Sequence, residues 1–113
     1  MASILIVEPS SDLRDLFELV VAGLGHEAVY DIDVRPEEID LLLVETGVVL
    51  GLDTARRLRA VRPDLPIVVA SIFDRSIFDG LRAVVELLPS AYLVKPFHLD
   101  ELEHAIATAL EGG

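Results

Sequence analysis

Three observations predict an α/β fold built on a parallel sheet. Residues 39–46 read Ile-Asp-Leu-Leu-Leu-Val-Glu-Thr, and the unbroken apolar stretch at 41–44 suits a short strand buried on both faces. Similar runs at 4–7, 67–70 and 92–94 are separated by segments of helical periodicity, the alternation that parallel sheets require. Each run also ends in a polar side chain: Glu8, Glu45, Ser71 and Lys95. In an open parallel sheet these groups meet at the carboxyl-terminal edge, where functional groups collect.

The 113 residues suffice for one core, and residues 1–113 are read as a single domain. With 52% apolar residues and a mean hydropathy of +0.52, disorder is excluded. No apolar run approaches the roughly 18–20 residues of a membrane span, and the start lacks the basic and apolar regions of a signal peptide. The absence of cysteine removes disulfides and thiolate metal sites. A cytoplasmic protein is expected. Twenty acids against nine bases give a net charge of −11, which disfavours contact with nucleic acid phosphates and leaves a solvated or basic-partner surface.

In order, residues 3–7 form the first strand. Ser11 or Asp12 is expected to cap a helix whose core stripe is Leu13, Leu16, Phe17, Val20, Val21 and Leu24, with Gly25 as its left-handed stop. Residues 26–30 are a second strand. The following nine residues, 31–39, hold Pro36 and are shorter than the dozen or so of an ordinary helical crossover, so at most one turn is expected there. After the central strand comes a loop at 47–51 with an exposed Val48-Val49-Leu50. A helix capped by Asp53 then places Ala55, Leu58 and Val61 inward and Arg56, Arg57, Arg59 and Arg62 outward. A strand follows at 67–70. Next comes a helix begun by Asp74 or Ser76, with Ile77, Phe78, Leu81, Val84, Val85 and Leu88 as its core stripe. Pro89-Ser90 ends it, residues 91–94 are the fifth strand, and a last helix from about Leu99 buries Leu102, Ala105, Ile106, Ala109 and Leu110.

Four motifs, on these elements and in this order, resemble response-regulator receiver domains of two-component systems. They are Ile-Leu-Ile-Val-Glu at 4–8 with Asp-Leu-Arg at 12–14, Asp-Leu-Leu-Leu-Val-Glu at 40–45, Arg-Pro-Asp-Leu-Pro-Ile-Val-Val at 62–69, and Tyr-Leu-Val-Lys-Pro-Phe at 92–97 with Glu101-Leu102. The resemblance spans the chain. It implies a doubly wound, flavodoxin-like five-stranded sheet of order 2-1-3-4-5, with the family's second helix shortened or missing, and a cis peptide before Pro96. It also implies that Glu45 occupies the phosphoacceptor position, that Ser71 is the switch hydroxyl, and that Tyr92 is the switch aromatic. The chain departs from the pattern. Pro9 stands where the family has its second acid, usually a Mg²⁺ ligand; Glu45 stands for Asp; and the loop after it is one residue longer.

The chemistry left to this cluster is limited. Glu8, Glu45 and Lys95 sum to −1, and Pro9 offers no side-chain oxygen, so Mg²⁺ binding is expected to be weak or absent. The extra methylene of Glu45 displaces the attacking oxygen, and misplacement on that scale costs about a hundredfold. Glu45 is therefore read as a fixed anion that partly mimics a phosphoryl group and pairs with Lys95, against the plainer reading of a salt bridge without signalling meaning. Ser71 is expected to bond Glu45 or the strand-end backbone. No catalytic residue and no metal ligand is assigned. His26, His98 and His104 are dispersed and form no metal set.

The expected function is an atypical receiver domain acting as a phosphorylation-independent signalling and protein-interaction module, not an enzyme. The alternative is a working phosphoacceptor with unusual ligands. A flavodoxin-like cofactor binder is disfavoured by Glu8 beside Ser10-Ser11. No effector segment follows the last helix in this sequence, so output is expected from the domain's own surface or from a larger protein containing it. A protein partner is expected, a histidine kinase or a downstream effector, with homodimerisation left open. The face is that of the family's fourth helix, fifth strand and fifth helix, with Ile72, Phe73 and Phe97 as outward apolar candidates.

Overall fold

The computed structural model describes residues 1–74 and 76–112. Five strands, β1 (Ser3–Val7), β2 (Glu27–Val29), β3 (Leu41–Val44), β4 (Ile67–Ser71) and β5 (Ala91–Val94), pair in parallel in the order β2-β1-β3-β4-β5. Four helices, α1 (Ser11–Gly23), α2 (Val49–Val61), α3 (Phe78–Leu87) and α4 (Leu99–Gly112), cover the two faces. Strand side chains alternate between them. Ile4, Ile6, Leu41, Leu43, Val68 and Ala70 pack with α1 and α4, while Leu5, Val7, Leu42, Val44, Ile67 and Val69 pack with α2 and α3. Burial on both faces is why the central runs show no polar alternation.

The short crossover contains one 3₁₀ turn, Pro36–Glu38, as its length required. Val34 and Ile39 are its buried anchors. Arg62 donates to the carbonyls of Pro36 (3.0 Å) and Ile39 (2.6 Å), and Arg57 donates to that of Ile32. The arginines expected to point into solvent thus satisfy backbone acceptors that a full helix would have satisfied internally. Arg56 reaches α3, where its fork meets Glu86 at 2.7 and 3.0 Å.

Several details differ from the sequence reading. Ser10 caps α1, its hydroxyl accepting from the Leu13 N–H at 3.3 Å, rather than Ser11 or Asp12. Leu16 is largely exposed. Helix α2 starts at Val49, four residues before Asp53, and has no side-chain cap; Val61, expected inward, is exposed. Neither Asp74 nor Ser76 caps α3, which begins at Phe78 after Ile77. The largest difference is the rotation of α3. It buries Gly80, Ala83 and Leu87, and it exposes Ile77, Phe78, Leu81, Val85 and Leu88. The small residues of this helix face the core, and the bulky stripe is left facing out. Gly25, at φ +84°, stops α1 as expected, and Lys95–Pro96 is cis. No described helix is long and apolar enough to cross a membrane.

Candidate functional site

The strand order sets out the four polar strand ends as Glu8 on β1, Glu45 on β3, Ser71 on β4 and Lys95 on β5. Neighbouring strands lie about 4.8 Å apart, so β5 and β1 are separated by three such spacings, roughly 14 Å. Long side chains are needed to close that distance. The Lys95 ammonium does so, meeting Glu8 Oε1 at 2.5 Å and Glu45 Oε1 at 3.1 Å. The Lys95 side chain is 12% exposed and those of Glu8 and Glu45 only 2% and 3%, so solvent barely screens the triad. The sequence reading paired Lys95 with Glu45 alone. The signal that could have included Glu8 is the strand order, which puts both acids on the same side of Lys95.

The other carboxylate oxygens are engaged as well. Glu8 Oε2 accepts the Ser10 N–H at 3.0 Å, which orients the acid at the entrance to α1. Glu45 Oε2 accepts the Gly47 N–H at 2.8 Å, and its Oε1 accepts the Ile72 N–H at 3.1 Å. Glu45 therefore ties the loops after β3 and β4 to the Lys95 end of β5. Two glycines permit this. A Cβ on Gly47 would come within 2.7 Å of the Phe73 ring, and one on Gly51 would come within 1.8 Å of the Glu45 carbonyl oxygen. Helix α2 packs directly over the end of β3 because Gly51 has no side chain.

Ser71, fully buried, does not hydrogen-bond Glu45. Its Oγ accepts the Phe73 N–H at 3.1 Å, the second of the two bonds foreseen for it. The Tyr92 hydroxyl donates to the Phe73 carbonyl at 2.7 Å. Ser71 and Tyr92 thus meet at one peptide segment, each holding one side of Phe73, while Glu45 holds the residue before it. The described residues contain no group of three or more His, Asp or Glu side chains placed to hold a metal ion. Pro9 is exposed and lines an apolar groove beside Glu8 with Val48 and Leu50.

The architecture and the polar edge can be compared with known proteins. No family model matches the chain. A CheY-like response regulator receiver domain from Methanospirillum hungatei superposes with a TM-score of 0.81 at 16% identity, covering 99% of this chain and 95% of that one. The signal receiver domain of a modulated diguanylate cyclase from Desulfovibrio desulfuricans gives a TM-score of 0.79 at 25% identity, with coverage of 99% and 95%. The chain has the receiver fold of two-component response regulators. Over its receiver region, the DNA-binding transcriptional regulator NtrC of Azospirillum brasilense is 32% identical across 120 aligned positions, 96% of this chain and 24% of that protein. The transcriptional regulatory protein ZraR of Salmonella typhimurium is 28% identical over 99 residues, 83% of this chain and 21% of that protein. This receiver chain spans about a quarter of the length of the curated relatives it matches.

Proposed function

We propose that this receiver domain works as a protein-interaction module whose signalling face is held in one state without phosphorylation. The observation that carries the reading is the Glu45 carboxylate with its three donors, the Lys95 ammonium, the Ile72 N–H and the Gly47 N–H. A carboxylate so engaged, sharing its cation with Glu8, has little capacity left for a divalent ion, and Pro9 adds no oxygen. The donor set does not suit Mg²⁺, which wants near-octahedral oxygen ligands. In-line phosphoryl transfer relies on positioning and on neutralisation of the developing charge. Glu45 instead supplies a permanent negative charge that gathers the lysine and the loop after β4, as a partial phosphoryl mimic. Charge-assisted contacts of this kind are worth about 1.5–3 kcal/mol when shielded, and about 1.4 kcal/mol moves a two-state equilibrium tenfold.

The face it biases consists of α3, β5 and α4. The exposed Phe78, Leu81, Val85 and Leu88 are the apolar groups offered there to a protein partner or to a second copy of the chain. The partner class is a histidine kinase or a downstream effector. The test is mass spectrometry after incubation with acetyl phosphate and Mg²⁺. No added phosphate is expected. A stable phosphate that disappears in Glu45→Gln would overturn the reading. In parallel, Leu81→Glu with Val85→Glu is expected to abolish partner binding or self-association while leaving the fold intact. Unchanged binding and sedimentation would remove α3 from the face.

A further inference from the structure

We infer that the groove between the ends of β1 and β3 is a binding site for a small branched or aromatic carboxylic acid. It has a volume of about 260 Å³ and is walled mainly by Pro9, Ile32, Val48 and Leu50. It opens outside the carboxyl ends of the strands where the sheet order reverses, the position at which open α/β sheets take ligands. Its volume admits on the order of ten non-hydrogen atoms, fewer than a nucleotide needs.

The choice of an anion comes from the polar groups of the lining, Glu8, Arg14 and Tyr30. Glu8 is an acceptor with both oxygens engaged by Lys95 and the Ser10 N–H. The Tyr30 hydroxyl faces Glu18, which with Asp15, Arg14 and Tyr30 itself lines the adjoining cleft. Arg14 is left as the available donor side chain. Among the described residues it makes no hydrogen bond or ion pair, whereas Arg35, Arg56, Arg57, Arg59, Arg62 and Arg82 all have carboxylate or carbonyl partners. An exposed guanidinium beside an apolar trough complements a carboxylate on a compact hydrocarbon body. The negative charge of Glu8 orients such a ligand, with its anion at Arg14 and its carbon skeleton over Val48 and Leu50. The site does not depend on whether Glu45 accepts phosphate.

The experiment is a ¹H–¹⁵N titration of the full chain with 4-methylpentanoate, with 3-phenylpropanoate, and with 4-methylpentanamide as the uncharged control. Both acids are expected to give saturable shifts at the amides of Ile32, Val48 and Leu50 with millimolar or tighter affinity, and the amide to bind roughly five- to tenfold more weakly. Arg14→Gln is expected to equalise acid and amide, and Leu50→Glu to abolish both; each side chain is exposed, so neither change threatens the fold. The assignment is overturned if no saturable shift develops by about 20 mM acid. It is equally overturned if the shifts map to the separate groove around Phe97 and Leu99, or if Arg14→Gln keeps the preference for the acid.

Discussion

Replacing Lys95 by Met tests the triad most directly. The substitution keeps most of the side-chain volume and removes the only cation among the described residues that contacts Glu8 and Glu45, whose side chains are 2% and 3% exposed. Each carboxylate retains backbone donors: the Ser10 N–H for Glu8, and the Gly47 and Ile72 N–H groups for Glu45. Two like charges nevertheless remain buried without a counterion. Breaking a buried pair in this way costs about 3–5 kcal/mol. With a urea m-value near 1.5 kcal/mol per molar for a domain of this size, the midpoint should fall by roughly 2–3 M. Circular dichroism across a urea series reads this directly. The same logic makes a second demand. Glu8→Gln with Glu45→Gln in the Lys95→Met background removes the stranded charge and should recover most of the loss, so the three changes are far from additive. A loss below about 1 kcal/mol for Lys95→Met would mean that the triad behaves as a screened surface pair. A triple variant no more stable than Lys95→Met would show that charge burial is not the cause.

Other consequences can be measured separately. Gly51→Ala forces a Cβ to within 1.8 Å of the Glu45 carbonyl oxygen, so α2 must shift; a loss of about 2–4 kcal/mol is expected by calorimetry, and an unchanged melting temperature would contradict the close approach. Tyr92→Phe removes the donor to the Phe73 carbonyl and Ser71→Ala the acceptor for its N–H; each should cost about 1–2 kcal/mol, and Ser71→Ala should speed exchange of the Phe73 amide hydrogen, whereas unchanged exchange would contradict the bond. The Tyr30 phenol is pushed up to about 12 by burial, by its hydrogen bond to Glu18 and by the charges of Glu18 and Asp15, opposed by Arg14. The folded phenol keeps its proton where an unfolded tyrosine, at its ordinary value of 10.0, has lost it, so this contribution to stability is complete below pH 10 and fades as the pH rises towards 12. Ultraviolet titration should show the high midpoint, and Glu18→Gln should lower it; a midpoint near 10 in the parent protein would refute the Glu18 contact.

Strand identity was readable because each buried run is short, apolar and closed by a turn signal, and the short crossover because nine residues between two parallel strands leave no room for a full helix; the strand order came only from the resemblance to receiver domains. The rotation of α3 was not. Periodicity identifies the face with the most apolar surface, and Phe78, Leu81, Val85 and Leu88 outweigh Gly80 and Ala83 on any such count. Close packing can reward the smaller face instead, and only the neighbouring elements decide between them. The start of α2 was misplaced for a related reason: Asp53 offers good capping chemistry, but the contact of Gly51 with the end of β3 extends the helix by a further turn. In the site, the residues were identified and their pairing only in part. A strand end indicates that a group reaches the edge, but not which of two acids a lysine will span.

The arginine-held crossover divides the molecule by the ease with which its parts open. Its carbonyls at Ile32, Pro36 and Ile39 are held by Arg57 of α2 and by Arg62 just after it, and it is preceded by β2, a three-residue edge strand paired with β1. No continuous ladder of backbone bonds spans residues 30–39, so local opening there is expected to cost less than opening the central strands. Amide hydrogens there report a partial opening, whereas those of β1, β3 and β4 report loss of the whole structure. The four polar strand ends all lie on the side that stays closed. Residues 30–39 are therefore expected to open locally before the charged edge loses its geometry.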